Sequence, residues 1–267
     1  AKKWKAVRDA FDAFLAPREK ALASKYSRFL FEQKARLLKK IKGFELRGAR
    51  DDRADKEYED AVMKTIFDLD EENREVLKLI APMLARQFED GWDFFNEHEN
   101  PTSKKPEFPV SDPRVVKALD ARNIQTKKIN DTTEDDLREI LKKAFEEGIE
   151  TTQELADRIG EYYKGHKARP QTAARTQVAG VVNEGRLLAA KEVGGLKKGW
   201  LHGAPDEARP EHVAAQSKYL STPIELDKKF IVNGYECDAP GSAELPVGET
   251  ANCTCMVTFV AGKEEEK

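Results

Sequence analysis

The chain has 267 residues, of which 36% are charged and 39% hydrophobic, with only 8% aromatic. That length holds one large domain or two modest ones, and the charge-rich, aromatic-poor composition suits an elongated, largely helical protein better than one compact globule. No apolar run approaches the roughly 20 residues of a membrane span, Ala1-Lys2-Lys3-Trp4 opens no apolar signal core, and three cysteines make no disulfide framework, which favours a reducing compartment.

The net charge of −3 conceals an asymmetry: residues 1–42 hold thirteen Lys/Arg against four Asp/Glu, a balance of +9, and the remainder balances at −12. Such a segment can meet DNA or an acidic protein surface by long-range attraction, with Lys2, Lys3, Lys5, Arg8, Lys39, Lys40 and Lys42 as candidate contacts. The alternative is a solvated basic helix face. Apolar residues recur here at Trp4, Val7, Phe11, Phe14 and Leu15, then at Leu22, Tyr26, Phe29, Leu30, Leu37 and Ile41. These steps of three and four predict an amphipathic helix, with a kink or split at Pro17 and a stop near Gly43. Residues 45–60, dense in mixed charge, read as a connector.

A second stripe runs through Tyr58, Val62, Ile66, Leu69, Val76, Leu77, Ile80, Leu84, Phe88 and Trp92, with a break expected at Pro82. Residues 1–98 therefore read as a helical arm or hairpin. The mixed charge of its polar faces argues against membrane-surface binding. Pro101, Pro106, Pro109 and Pro113 mark residues 99–113 as a linker. Asp112-Pro113 suits the start of a short helix carrying Val115, Val116 and Leu119.

Thr133, followed by Glu134-Asp135-Asp136, is expected to cap a further helix that Gly148 ends. Thr151 with Glu154 forms a second capping box, opening a helix with Leu155, Ile159 and Tyr162. The spacing invites a helix-turn-helix reading, but Glu154, Asp157 and Glu161 make a poor groove-reading surface, so a structural hairpin is preferred. A helix from Pro170 to Val193 stops at Gly194-Gly195. After Trp200 the texture turns to Gly, Pro and short β-leaning pieces around Phe230–Val232 and Met256–Val260. The fold class is thus α+β: a long helical N-terminal arm with a small α+β module over 114–262 and a charged tail at 263–267.

The residues able to carry chemistry gather late. Pro210 suits the first turn of a helix, which puts Arg209 at its mouth and His212 within that turn, with Asp206 able to pair with Arg209. The group reads either as a metal or acid/base site or as a structural polar knot after Trp200. Cys253 and Cys255 face the same way if on a strand, so His212, Cys237, Cys253 and Cys255 form a candidate Cys₃His set for Zn²⁺, against the alternative of buried small side chains. His98 and His166 lie near linkers or helix ends, and His202 is placed to approach Asp206. No nucleophile elbow, papain-like context, phosphate loop or dinucleotide fingerprint is present, so no enzyme and no nucleotide cofactor is expected.

Four of these features, in order, resemble the phage head-morphogenesis, or Mu F-like, minor capsid family over roughly residues 130–260. They are Ala174-Arg175-Thr176 on a helix; Lys198-Gly199-Trp200 followed by Asp206, Arg209 and His212; Pro223–Val232 ahead of Asp238-Ala239-Pro240-Gly241; and Asn252-Cys253-Thr254-Cys255. Thr254 stands where the family usually shows Arg. The resemblance implies a minor capsid component of a tailed phage or prophage, present in few copies inside the virion or procapsid and assembled in the host cytoplasm. Its partners would be the portal protein, scaffold or major capsid protein, with packaged DNA as a further contact. The competing readings are a metal-dependent nuclease or hydrolase centred on Asp206, His202 and His212, and a nonspecific DNA-binding module using residues 1–42.

Overall fold

The apolar period of the first forty residues yields a single helix, α1 (Lys2–Lys42), that runs through Pro17 without a break. The expected split does not occur. Phe11 and Leu15 before the proline and Leu22 after it are fully or almost fully buried, and that burial outweighs the roughly 3 kcal/mol cost of an internal proline. Arg18 adds a local clasp beside the proline: its Nη1 donates 2.8 Å to the Phe14 carbonyl and its guanidinium stacks 3.4 Å from the Phe14 ring, while the carbonyl that Pro17 cannot serve is that of Ala13. α2 (Lys56–Ile66) and α3 (Leu69–His98) follow, and α3 likewise contains Pro82 in its interior, flanked by buried Ile80 and Leu84. The computed structural model describes residues 2–43, 46, 56–149, 151–203 and 208–262. Among them no helix is long and apolar enough to cross a membrane.

Asp112 caps α4 (Pro113–Glu146) as expected, accepting from Arg114 N at 2.7 Å. The helix then runs on through Thr133, which starts no new element. Thr133 is buried and its Oγ1 donates 2.8 Å back to the Ile129 carbonyl, a bond that satisfies the hydroxyl inside a continuous helix. Gly148, at φ 71°, ends the segment, and Ile149 N reaches back to the Ala144 carbonyl. The Thr151–Glu154 capping box opens α5 (Thr152–Gly165). α6 (Arg169–Val193) leads into β1 (Leu196–Leu201), α7 (Pro210–Ser221), β2 (Ile224–Glu225), β3 (Phe230–Val232), β4 (Tyr235–Cys237), the single turn α8 (Val247–Thr250) and β5 (Met256–Ala261).

The α+β class is as expected. β1 sits between β2 and β5 in an antiparallel sheet, with Trp200 opposite Val257 and Leu201 opposite Met256. β3 and β4 form a separate hairpin. Its two-residue turn, Asn233-Gly234, holds both residues at positive φ (51° and 79°), which matches the twist of a tight hairpin.

The chain groups into two compact units built from alternating segments. Residues 24–80 and 126–170 form a helical unit whose apolar core includes Leu37, Val62, Ile66, Leu141, Phe145, Leu155 and Ile159. Within it, buried Gln33 donates to Asn130 at 2.9 Å and accepts from the Tyr163 hydroxyl at 2.9 Å, while Arg36 pairs with buried Glu72.

Residues 1–23, 81–125 and 171–267 form the other unit, which contains the sheet. Segment 99–113, expected as a linker, is tied into it: Trp92 Nε1 donates 2.9 Å to the Pro106 carbonyl, and the Phe108 ring packs on Phe88 and Trp92. α3 and α6 approach closely because both carry glycine at the crossing. A Cβ on Gly91 would strike the Val182 backbone, and one on Gly185 the Phe88 carbonyl oxygen. In the same unit Lys198 is fully buried. Its Nζ donates 2.7 Å to the Asp238 carbonyl and lies 4.8 Å from the centre of the Phe230 ring.

Two outcomes follow from this packing. Gly185→Ala is expected to cost about 1–3 kcal/mol in urea unfolding, the usual range for forced overpacking, while Gly165→Ala, with nothing near its Cβ, changes stability little; equal effects would show that the crossing is loose. Burial, foremost, depresses the Lys198 ammonium to about 8, against about 10.4 for an unfolded lysine. Between those values the unfolded chain holds a proton that the folded one has released, so stability rises with pH there, by at most about 1.4 kcal/mol per pH unit. Wild type should therefore gain stability relative to Lys198→Met as pH climbs through that window, and a pH-independent difference would contradict the assignment.

Candidate metal centre

Pro210 occupies the first turn of α7 and Arg209 its N-cap, so His212 falls in the first turn as the sequence indicated. The imidazole is buried and stands edge-on to Trp200, ring centres 5.5 Å apart. Its Nδ1 lies 3.6 Å from Cys253 Sγ and 3.3 Å from Cys255 Sγ. The three donor atoms lie within 4.8 Å of one another, and all three residues are buried. On the opposite side of the ring, Nε2 meets Glu249 Oε2 at 3.1 Å.

This donor set fits a divalent transition metal. Zn–S and Zn–N bonds of ordinary length at a tetrahedral angle put sulfur and nitrogen about 3.6 Å apart, close to the spacings observed here. A single Nδ1 offers one lone pair or one proton, so two sulfurs converging on it satisfy a common centre better than they satisfy hydrogen bonding. The backbone N–H groups of Cys255 and Gly203 act to lower the pKa of Cys253 and Cys255 respectively, which favours thiolate. Glu249 holds the far nitrogen as a carboxylate commonly does behind a metal-bound histidine. The group can thus hold a metal ion.

The electrostatics carry the same sense. The hydrogen bond between the two thiols draws the first ionisation, at Cys253, well below the usual thiol value, aided by His212. The second, at Cys255, is pushed well above it by that same bond, burial and the neighbouring negative charge. The pair therefore shares one proton, and a bound cation would remove it. Burial works to lower the His212 value, but Cys253 and Glu249 outweigh it and the net shift is upward.

α6 positions the cysteine segment. Asn183 Nδ2 donates to the carbonyls of Cys255 (2.9 Å) and Pro240 (3.1 Å), and its Oδ1 accepts from Val257 N at 3.2 Å. Arg186, fully buried and paired with Glu99, donates 2.8 Å to the Val257 carbonyl. Thr176 Oγ1 accepts from Asn252 N at 3.1 Å, where Asn252 takes a positive φ of 56°. Asn233 Nδ2, from the hairpin turn, holds Glu249 Oε1 at 2.7 Å. A cleft of about 700 Å³ opens over the cluster, lined by His212, Cys253 and Cys255 and by Arg8, Arg175 and Arg209.

The structure corrects the proposed ligand set. Cys237 is not part of the cluster. It lies on β4 opposite Phe230, in the field of Lys198, and burial foremost pushes its thiol up to about 12. It stays neutral, as a small buried side chain. Nor does His202 join: its Nδ1 faces the Gly203 carbonyl at 2.7 Å. Asp206 lies outside the described residues.

Arg209 Nη2 donates 2.8 Å to the Ala251 carbonyl and Arg175 pairs with Glu19 at 3.4 Å. Trp200 is a fully buried anchor, edge-on to both His212 and Phe230. Of the basic residues of α1, Arg8 turns inward, donating 2.5 Å to the Thr254 carbonyl. Lys5 pairs with Asp9 and Lys40 with Glu71, while Lys39 and Lys42 are exposed; the side chains of Lys2 and Lys3 lie outside the described residues.

Glu249, Asn183 and Arg186 escape a reading of the sequence alone. Only the spacing Glu249-x3-Cys253-x-Cys255 hints at the first. Comparison with family models, characterised proteins and solved structures gives no match.

Competition with a chromophoric chelator tests the centre. Wild type and Cys237→Ser should bind one zinc per chain, and Cys253→Ser or Cys255→Ser should lose it. Glu249→Gln should weaken binding roughly 10- to 100-fold. Loss of metal in Cys237→Ser would reinstate the four-residue set.

Proposed function

We propose that the chain is a minor capsid, head-morphogenesis protein of a tailed phage or prophage, non-enzymatic, associating with the portal vertex during procapsid assembly. The observation that carries this reading is convergence. Arg175, Arg209, His212, Cys253 and Cys255, drawn from separate motifs of the resemblance, line one cleft, and Trp200 packs against His212 beneath it. Thr176 of the Ala-Arg-Thr motif is bonded to Asn252 of the Asn-Cys-Thr-Cys motif. Motifs that share one site in space make a more coherent signature than motifs that share only an order in sequence.

Within this reading the metal is zinc. One imidazole and two thiolates form a nitrogen–sulfur set that suits Zn²⁺ without redox chemistry. The ion would tie α7 to the segment before β5 and stabilise the end of the chain. The basic first helix serves as the contact to portal, scaffold or packaged DNA, and the protein resides inside the procapsid and virion.

The test is sedimentation. Procapsids purified on gradients from cells producing the phage should contain the chain in few copies, and portal assemblies should retain it. Its absence from both procapsids and portal would refute the proposal.

A further inference from the structure

The corrected ligand set changes the kind of metal site. Structural zinc is closed by four protein ligands, whereas three protein ligands leave a position for an exogenous one. Among the described residues no fourth His, Cys, Asp or Glu joins His212, Cys253 and Cys255. Glu249 is committed to the far side of the imidazole. All three donor residues line the same cleft, so the cleft adjoins the cluster.

The surroundings of that cleft favour an anion. Arg8 and Arg209 are fixed by carbonyls on either side of Cys253, those of Thr254 and Ala251. Both act electrostatically on the cluster: Arg209 on His212 and Arg8 on Cys255. Arg175 lies on the same wall. Among the described residues the lining holds two carboxylates, and each is matched: Asp12 with Arg8 at 2.7 Å and Glu19 with Arg175 at 3.4 Å. Among the described lining residues that leaves the charge of Arg209 over. The N-terminal turn of α7 adds its positive end here, since Arg209 is its N-cap and carries no side-chain capping bond. A divalent metal with two thiolates is itself neutral, and the Glu249 carboxylate lies behind the imidazole, not among the residues lining the cleft, so the charge facing the cleft beside the metal is that of Arg209.

We propose that the metal centre is open and binds a phosphate group, one oxygen on the metal and the others toward Arg209, with Arg8 and Arg175 on the surrounding walls. This rests on the metal reading of His212, Cys253 and Cys255. A carboxylate with one oxygen on the metal has a single oxygen left for the arginines. A phosphate has three, and a guanidinium fork takes two at once. The cleft, at about 700 Å³, is far larger than a bare phosphate. It accommodates a phosphate monoester with its organic part, which includes a nucleic-acid end.

Cobalt(II) in place of zinc makes the site visible. The reduced full chain loaded with Co²⁺ should show thiolate-to-cobalt charge-transfer absorption and the visible bands of a tetrahedral ion. Inorganic phosphate should shift the visible bands saturably, and acetate should do so more weakly. A 5′-phosphorylated oligonucleotide that shifts them where its unphosphorylated twin does not would identify a nucleic-acid end as a ligand. Response to inorganic phosphate alone would identify the free ion.

Arg209→Gln should leave the phosphate-free spectrum intact and weaken phosphate binding at least about tenfold, the loss of one charge-assisted contact. Absence of charge-transfer bands would overturn the metal reading and this proposal together. Charge-transfer bands present, with visible bands indifferent to phosphate, would overturn the phosphate site alone. A phosphate response equally strong in Arg209→Gln would overturn the role of the arginine.

Discussion

Two thiols, an imidazole and a carboxylate are packed into one buried corner, His212 Nδ1 facing both sulfurs at 3.3 and 3.6 Å and Nε2 facing Glu249 at 3.1 Å. Ionisable groups cost free energy to bury unless their charges are matched. One shared proton can serve the two sulfurs only in part, and a cation among the three donors serves them all. Much of the surrounding unit follows from keeping those atoms together. α7 must begin just after its N-cap Arg209 so that His212 faces inward, and α8, though a single turn, must place Glu249 behind it.

α6 is the element on which that corner is built. The three side chains that hold the cysteine segment, Thr176, Asn183 and Arg186, do not enter the cluster; they bond to the segment's backbone. Asn183 and Arg186 hold the start of β5, and Thr176 holds the left-handed Asn252 just before the cysteines. The approach of α3 to the same helix depends on Gly91 and Gly185. Backbone anchoring of this sort fixes the sulfurs to the tolerance that metal coordination requires, and it explains why a loop rather than a regular strand carries both cysteines.

The sequence made the helices legible because an apolar stripe at steps of three and four reports burial directly, and the Thr151 capping box and the Gly148 stop report local hydrogen bonding. Prolines and threonines misled where tertiary burial or a back-bond to the preceding turn overrode local preference, at Pro17, Pro82 and Thr133. The Asn233-Gly234 turn is a hairpin signal in itself, but its flanking strands, only three residues each, are too short to show an alternating pattern. At the site, His212, Cys253 and Cys255 could be picked by residue type. Cys237 could not be rejected that way, since its exclusion depends on the β3–β4 pairing that holds it opposite Phe230 and outside the cluster. Glu249 and Asn183 act through distant partners in sequence, and no local pattern marks such contacts.

X-ray absorption at the zinc edge of the loaded, reduced protein tests the central claim most directly. The account predicts two sulfur neighbours at about 2.3 Å, one imidazole nitrogen at about 2.0–2.1 Å and one further light atom. Three sulfur neighbours would bring Cys237 back into the centre and contradict the geometry, and a metal without sulfur neighbours would place it elsewhere altogether.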